Sequence, residues 1–299
     1  MMNFTTSPDD TNRYADETDL FQFYRHFGCD GLELMPIEGF TEFPIHSDKI
    51  IGVHARCLSD WMYLDRNLLL DHYRKDLEYA RAVQAEYVVF HVTQVSYEEC
   101  LTYRLLHTDM EVAKAAADFI NTLLDGQNYQ FWFLMENLWW PGLNFLDPAV
   151  TRCLTEEVRY EKKGLMLDTG HFMNTKPALR TEQEAIHYLN HMLDRHADLI
   201  PMIRGLHLNK SLSGPYVEQY RKNPAASPDD PDLLFCRAFE HIFKIDQHLP
   251  LTAPSVPELI HRISPKYVTL EYITDSRQML ASFLRKGTDA LLKADQSGI

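Results

Sequence analysis

Short apolar runs rich in β-branched and aromatic residues recur at 31–35, 50–54, 87–91, 131–136, 164–168, 203–207 and 267–271, with a weaker run at 3–6. Near-continuous apolarity marks strands of a parallel sheet whose two faces are both covered. Helix-like stretches fall between them at about 65–84, 98–125, 181–197 and 275–293. Leu69, Tyr73, Leu77 and Ala80 recur at helical spacing, while Asp71, Arg74, Lys75 and Glu78 occupy other positions. Alternating strands and helices predict βα units, and eight such units close into a barrel where six would leave an open sheet. No Gly-x-Gly-x-x-Gly follows an early strand, so the dinucleotide-binding version of an α/β sheet has no support. The expected fold is a single (β/α)8 TIM barrel spanning 1–299.

One stretch breaks the rhythm. Residues 212–232 hold Gly214-Pro215, Asn223-Pro224 and Pro228-Asp229-Asp230-Pro231, which reads as a long irregular loop after the seventh strand. Such a loop lies on the catalytic face, either as a lid or as a passive excursion.

Composition narrows the class. The net charge is −14, with 43 acidic against 29 basic residues, the opposite of the basic footprint that phosphate contacts require of a nucleic-acid binder. The five cysteines (Cys29, Cys57, Cys100, Cys153, Cys236) are scattered and form no Cys-x-x-Cys, which argues against a disulfide framework and a thiolate zinc site. No apolar run approaches the roughly 20 residues that span a bilayer. The N-terminal residues lack the pattern of a signal peptide, so the expected location is the cytoplasm.

The chemistry lies at the strand ends. Each of the last six predicted strands finishes on a metal-ligand residue type: His54, His91, Glu136, Asp168, His207 and Glu271. In a barrel these ends share the rim that holds the active site. About one residue in five here is Asp, Glu or His, so six such endings in a row are unexpected by chance. His171 follows Asp168 across Gly170, a glycine expected to let the backbone turn both side chains inward. Asp246 and His248, two apart, project to one side of an extended segment. Imidazole and carboxylate suit zinc, manganese or iron, and five histidines with four carboxylates exceed what one ion requires and suit a cluster of two or three. His187, His191 and His196 lie on a helix-like stretch without His-Glu-x-x-His and read as a solvated face.

These residues bring out a resemblance. The chain resembles the xylose isomerase-like TIM-barrel superfamily, which includes sugar isomerases, ketose epimerases and endonuclease IV. The resemblance is most specific in Met135-Glu136-Asn137, Leu167-Asp168-Thr169-Gly170-His171, Gly205-Leu206-His207-Leu208-Asn209 and Leu270-Glu271. In the sugar-epimerase branch it implies one divalent ion on Glu136, Asp168, His207 and Glu271. In the endonuclease IV branch it implies three zinc ions on all nine residues, including His54, His91, His171, Asp246 and His248. The chain departs from the nuclease branch in Leu138-Trp139-Trp140-Pro141-Gly142 after Glu136, in Lys210 after His-Leu-Asn, and in the long interval from His207 to Asp246.

Two chemistries follow, of which the first is the expected one and the second the alternative. In one, an ion holds vicinal oxygens of a small sugar or sugar phosphate, and Glu136 and Glu271 form the proton-transfer pair of an isomerase or epimerase. In the other, two or three zinc ions activate water against a phosphate ester, with Glu136 orienting or deprotonating that water. Trp139 and Trp140 form an apolar wall or pack into the rim, and Arg56 and Lys210 contact a substrate anion or remain solvated charges. Glu33, on the second strand, is within reach of the rim but is not counted among the site residues. The acidic surface points to a small-molecule partner rather than nucleic acid, and barrels of this type often form oligomers.

Overall fold

The computed structural model describes residues 1–6, 8–36, 45–224 and 227–296. Eight parallel strands close into a barrel in sequence order: β1 (Met2–Thr6), β2 (Gly31–Leu34), β3 (Ile50–His54), β4 (Tyr87–His91), β5 (Trp132–Glu136), β6 (Lys163–Asp168), β7 (Ile203–His207) and β8 (Tyr267–Leu270). β8 pairs back onto β1, with Met2 opposite Val268. Every strand run expected from the sequence is present, to within a residue at either end.

Helices cover the outside: α1 (Glu17–His26), α2 (Arg66–Ala82), α3 (Tyr97–Thr102), α4 (Asp109–Leu124), α5 (Pro148–Glu157), α6 (Thr169–Asn174), α7 (Glu182–Arg195), α8 (Gly214–Lys222), α9 (Pro231–Ile245), α10 (Val256–Ile263) and α11 (Arg277–Gln296). On α2, Asp65 caps the first turn and Leu69, Tyr73, Leu77 and Ala80 are buried as their spacing predicted. The stretch 98–125 is two helices rather than one. Tyr103 adopts a left-handed conformation (φ 56°) that ends α3, and Thr108 with Glu111 forms a capping box that starts α4. The irregular loop expected at 212–232 is also corrected. Pro215 and Pro231 each sit in a first helical turn, where a missing N–H costs nothing, so α8 fills much of the segment and α9 opens within it.

Strand alternation decides which side chains enter the barrel. Val88, Phe90, Phe133, Leu165 and Leu167 belong to the core between strands and helices. Tyr87, Val89, Leu134, Met166 and Tyr267 form a separate cluster inside the barrel. The same inward face carries His54, His91, Glu136, Asp168 and His207 at the strand ends, one or two pleats above that floor.

Two glycines make the floor possible. A Cβ on Gly52 would lie 2.2 Å from the Tyr87 ring, and one on Gly205 would lie 2.5 Å from the Met166 side chain. Tyr87 cannot swing away cheaply, because its hydroxyl is hydrogen-bonded to Glu33 and its ring lies 4.3 Å from that of Tyr267. Gly52→Ala should therefore lower stability by about 1–3 kcal/mol through overpacking. Urea denaturation measures this, and an unchanged midpoint would contradict a filled barrel interior.

Candidate metal centre

Glu136 ends β5 at the middle of the rim and is fully buried. One carboxylate oxygen, Oε2, lies 3.1 Å from His54 Nε2 and 2.9 Å from His91 Nε2. The other, Oε1, lies 2.8 Å from His207 Nδ1 and 3.6 Å from His171 Nδ1. Four imidazoles from four different βα units thus meet on one carboxylate.

Asp168 ends β6 and caps α6, its Oδ1 accepting the His171 backbone N–H at 2.6 Å. Its Oδ2 accepts the Asn209 side-chain amide at 2.6 Å. The role of Gly170 differs from the expected turn. It lies inside α6 without a positive φ, and a Cβ there would lie 1.9 Å from Asn209 Oδ1. Gly170 therefore provides the space in which Asn209 holds Asp168.

Asp246 and His248 also reach the cluster, by a different route from the extended segment expected. α9 continues to Ile245, Asp246 is its C-cap, and His248 takes a left-handed φ of 45° that turns the ring back. Asp246 Oδ2 then lies 2.7 Å from His248 Nε2 and 3.1 Å from His171 Nε2. Glu271, just beyond β8, brings Oε2 to 3.1 Å from His207 Nδ1. Glu33, from β2, is fully buried beneath His207, with Oε1 3.0 Å from Nε2.

The ligand-type atoms fall into overlapping groups within 4.8 Å: His54, His91 and Glu136; Glu136, Asp168, His207 and Glu271; His171, Asp246 and His248; and Glu33, His54, His207 and Glu271. The donor set, imidazole and carboxylate, suits borderline divalent ions. Unsatisfied atoms point the same way. His91 Nε2 lies near Glu136 but without hydrogen-bond alignment, and Glu271 Oε2 is buried without a hydrogen bond. Buried polar atoms are ordinarily satisfied, so these are the atoms a cation would serve.

The electrostatics show how the cluster balances its charge without an ion. Burial opposes the charged form of every member. For His54 and His248 the carboxylates of Glu136 and Asp246 outweigh burial, and their pKa values rise to about 9. His171 and His207 are held well above the usual range by the same kind of neighbours, Asp168 with Asp246 and Glu33 with Glu136. His91 is pushed down, by burial and by the cationic rings of His54 and His171. Although burial pushes both up, the histidines keep Glu136 well below the carboxylate range and Glu271 at about 2. Asp168 rises to about 6, from burial and from the charges of Glu271 and Glu136.

The other candidates are placed less centrally. Trp139 stands 5.4 Å from the His171 ring, ring centre to ring centre, with its indole N–H buried and unpartnered. Trp140 is buried against Tyr103 in a rim cluster. Arg56 is held by Asp76 of α2, with Nε donating at 2.9 Å, and Lys210 is held by Glu182 of α7. Both cations are thus engaged by carboxylates outside the cluster. His187 and His191 are exposed as expected, but His196 is buried at the C-cap of α7, beside Thr151.

The raised histidines make a stability prediction. A histidine with a folded pKa near 9 and an unfolded value near 6.5 stabilises fully below pH 6.5 and loses that contribution as pH rises through 9. Asp168, half-titrated at about pH 6, finishes ionising near pH 7, and because its pKa is raised on folding its ionisation also lowers stability, adding to the fall at the lower end of that range. Chelator-treated protein should therefore lose thermal stability from pH 6.5 to about 9. A flat melting profile over that range would contradict the charge balance described here.

No protein-family model and no curated protein matches the sequence. Solved structures do match the fold over nearly their whole length. A D-tagatose 3-epimerase-like protein is similar at 13% identity and TM-score 0.53, covering 96% of this chain and 98% of its own. The probable 3-DHS dehydratase AsbF of Bacillus anthracis is similar at 14% identity and TM-score 0.54, with 97% and 98% covered. The IolI protein with a bound zinc atom is similar at 12% identity and TM-score 0.53, with 99% and 96% covered. The chain has the fold of the xylose isomerase-like TIM-barrel proteins.

Proposed function

We propose that the chain is a divalent-metal-dependent enzyme that hydrolyses a phosphate ester of a small molecule at a centre of up to three ions. The observation that carries this reading is the position of Glu136. Its Oε2 faces His54 and His91, and its Oε1 faces His207 and His171, so it stands between adjoining ligand groups as a bridging carboxylate does. His54, His91 and Glu136 would hold one ion; Glu136, Asp168, His207 and Glu271 a second; His171, Asp246 and His248 a third. Zinc, manganese and iron all accept this donor set. Bound ions of this kind supply an activated water and stabilise a leaving oxygen.

The chain's own residues divide the remaining work. Glu136, engaged on both oxygens, is an anchor whose depressed pKa makes it a weak proton acceptor. Glu271, the other glutamate of the second group, is likewise held low, at about 2, and would serve as a ligand rather than as a proton acceptor. Trp139 borders the His171 side of the centre, where its indole edge would exclude solvent and its N–H would meet a substrate oxygen. A net charge of −14 disfavours a long polyanion and favours a small phosphorylated substrate over DNA.

A second reading draws on the tagatose epimerase-like fold neighbour and on the group of Glu136, Asp168, His207 and Glu271. There one ion would hold a small sugar or sugar phosphate, and the two glutamates would exchange the proton of an isomerase or epimerase. That chemistry leaves His54 and His91 without a direct task. The double variant His54→Ala/His91→Ala separates the two. We expect two to three equivalents of zinc in the wild type by elemental analysis, one fewer in the variant, and phosphoesterase turnover reduced at least about 100-fold. One equivalent in both proteins, with sugar epimerisation retained in the variant, would establish the second reading instead.

A further inference from the structure

Glu33 sits one residue inside the end of β2, with no exposed surface. Its two oxygens lie 3.0 and 3.1 Å from His207 Nε2. The Tyr87 hydroxyl donates to Oε2 at 2.7 Å and the Thr269 hydroxyl at 3.2 Å. Asn3 donates in turn to the Tyr87 oxygen at 3.0 Å. The other nitrogen of His207, Nδ1, faces Glu136 at 2.8 Å, Glu271 at 3.1 Å and Asp168 at 3.8 Å. The His207 ring thus separates two sets of carboxylates, one at the mouth and one within the barrel.

We propose that Glu33 is a positioning residue for the metal centre, accepting the Nε2 proton of His207 so that Nδ1 presents its lone pair to the group of Glu136, Asp168 and Glu271. The inference rests on the metal-binding role proposed above for that group. A neutral imidazole carries one N–H, and the hydrogen bond made by one nitrogen decides which lone pair the other offers. A carboxylate behind a ligand histidine fixes the ring and raises its basicity, and loss of such a partner typically costs 10- to 100-fold in metal affinity.

The interior hydrogen bonds fit this role. An isolated buried carboxylate is costly, and Glu33 is held by donors from β4, β7 and β8. Glu33 also belongs to a potential ligand group with His54, His207 and Glu271. It meets His207 through Nε2, however, on the far side of the ring from the mouth. That places it behind the ligand.

The test is a zinc titration of the chelator-treated full chain against a chromophoric competitor, with elemental analysis, for wild type, Glu33→Gln, Glu33→Ala and Tyr87→Phe. Glu33→Gln should keep the number of ions per chain while one of them binds about 10- to 100-fold more weakly. Glu33→Ala should lose more, and Tyr87→Phe less, in the same direction. In zinc-loaded protein with 15N-labelled histidine, the proton on His207 Nε2 should exchange slowly in the wild type and rapidly in Glu33→Ala. Should the Glu33 variants fail to fold, Tyr87→Phe carries the affinity comparison. Equal affinity and equal exchange in wild type and folded variants would overturn the proposal. Loss of a whole equivalent in Glu33→Gln would make Glu33 a ligand and overturn it too. A wild type that binds no zinc overturns the metal reading itself and this inference with it.

Discussion

The structure depends on one contact set: a fully buried carboxylate, Glu136, met on its two oxygens by four imidazoles. Five carboxylates (Glu33, Glu136, Asp168, Asp246 and Glu271) surround the same small space. So many negative charges withdrawn from water are unfavourable unless positive charge enters with them. In the protein alone that charge is protons on histidine, which is why His54, His171, His207 and His248 all hold protons more firmly than a free imidazole. Divalent ions would compete with protons for the same nitrogens, so metal uptake at this cluster would release protons.

The barrel makes this gathering cheap in backbone terms. Parallel strands with period-two alternation aim every second side chain inward, and the last inward position of β3 to β7 is a histidine or a carboxylate. Below that ring the interior is filled by Tyr87, Val89, Leu134, Met166 and Tyr267, with Gly52 and Gly205 leaving room for the larger chains. This packed floor fills the barrel interior beneath the cluster. Trp139, on the connection that follows β5, stands beside the His171 ring.

Much of this was legible in the sequence. A strand covered on both faces is apolar throughout, so a terminal His, Glu or Asp stands out against it, and His54, His91, Glu136, Asp168, His207 and Glu271 could be placed together at one end of the barrel. What escaped depends on tertiary contacts or on local helix ends. α8 was hidden by Pro215 and Asn223-Pro224, which read as loop punctuation although Pro215 is compatible with a first turn. The convergence of Asp246 and His248 required the end of α9 and a left-handed residue, neither of which spacing reveals. Gly170 looked like a turn residue because nothing in sequence announces that Asn209 packs over it. Arg56 and Lys210 gave no sign of their partners Asp76 and Glu182, which lie on helices of the outer layer. The part of Glu33 was obscured because a carboxylate one residue short of a strand end differs little from an ordinary rim charge.

We propose that the residues around Glu136 form a centre for divalent ions shared between neighbouring ligand groups. Anomalous diffraction at the zinc edge, from crystals grown with zinc, addresses it most directly. Separate peaks are expected at the group of His54, His91 and Glu136 and at the group of Glu136, Asp168, His207 and Glu271, each about 2.0–2.2 Å from its ligand atoms. A map with zinc bound only at surface histidines, and the four imidazoles still resting on Glu136, would contradict it.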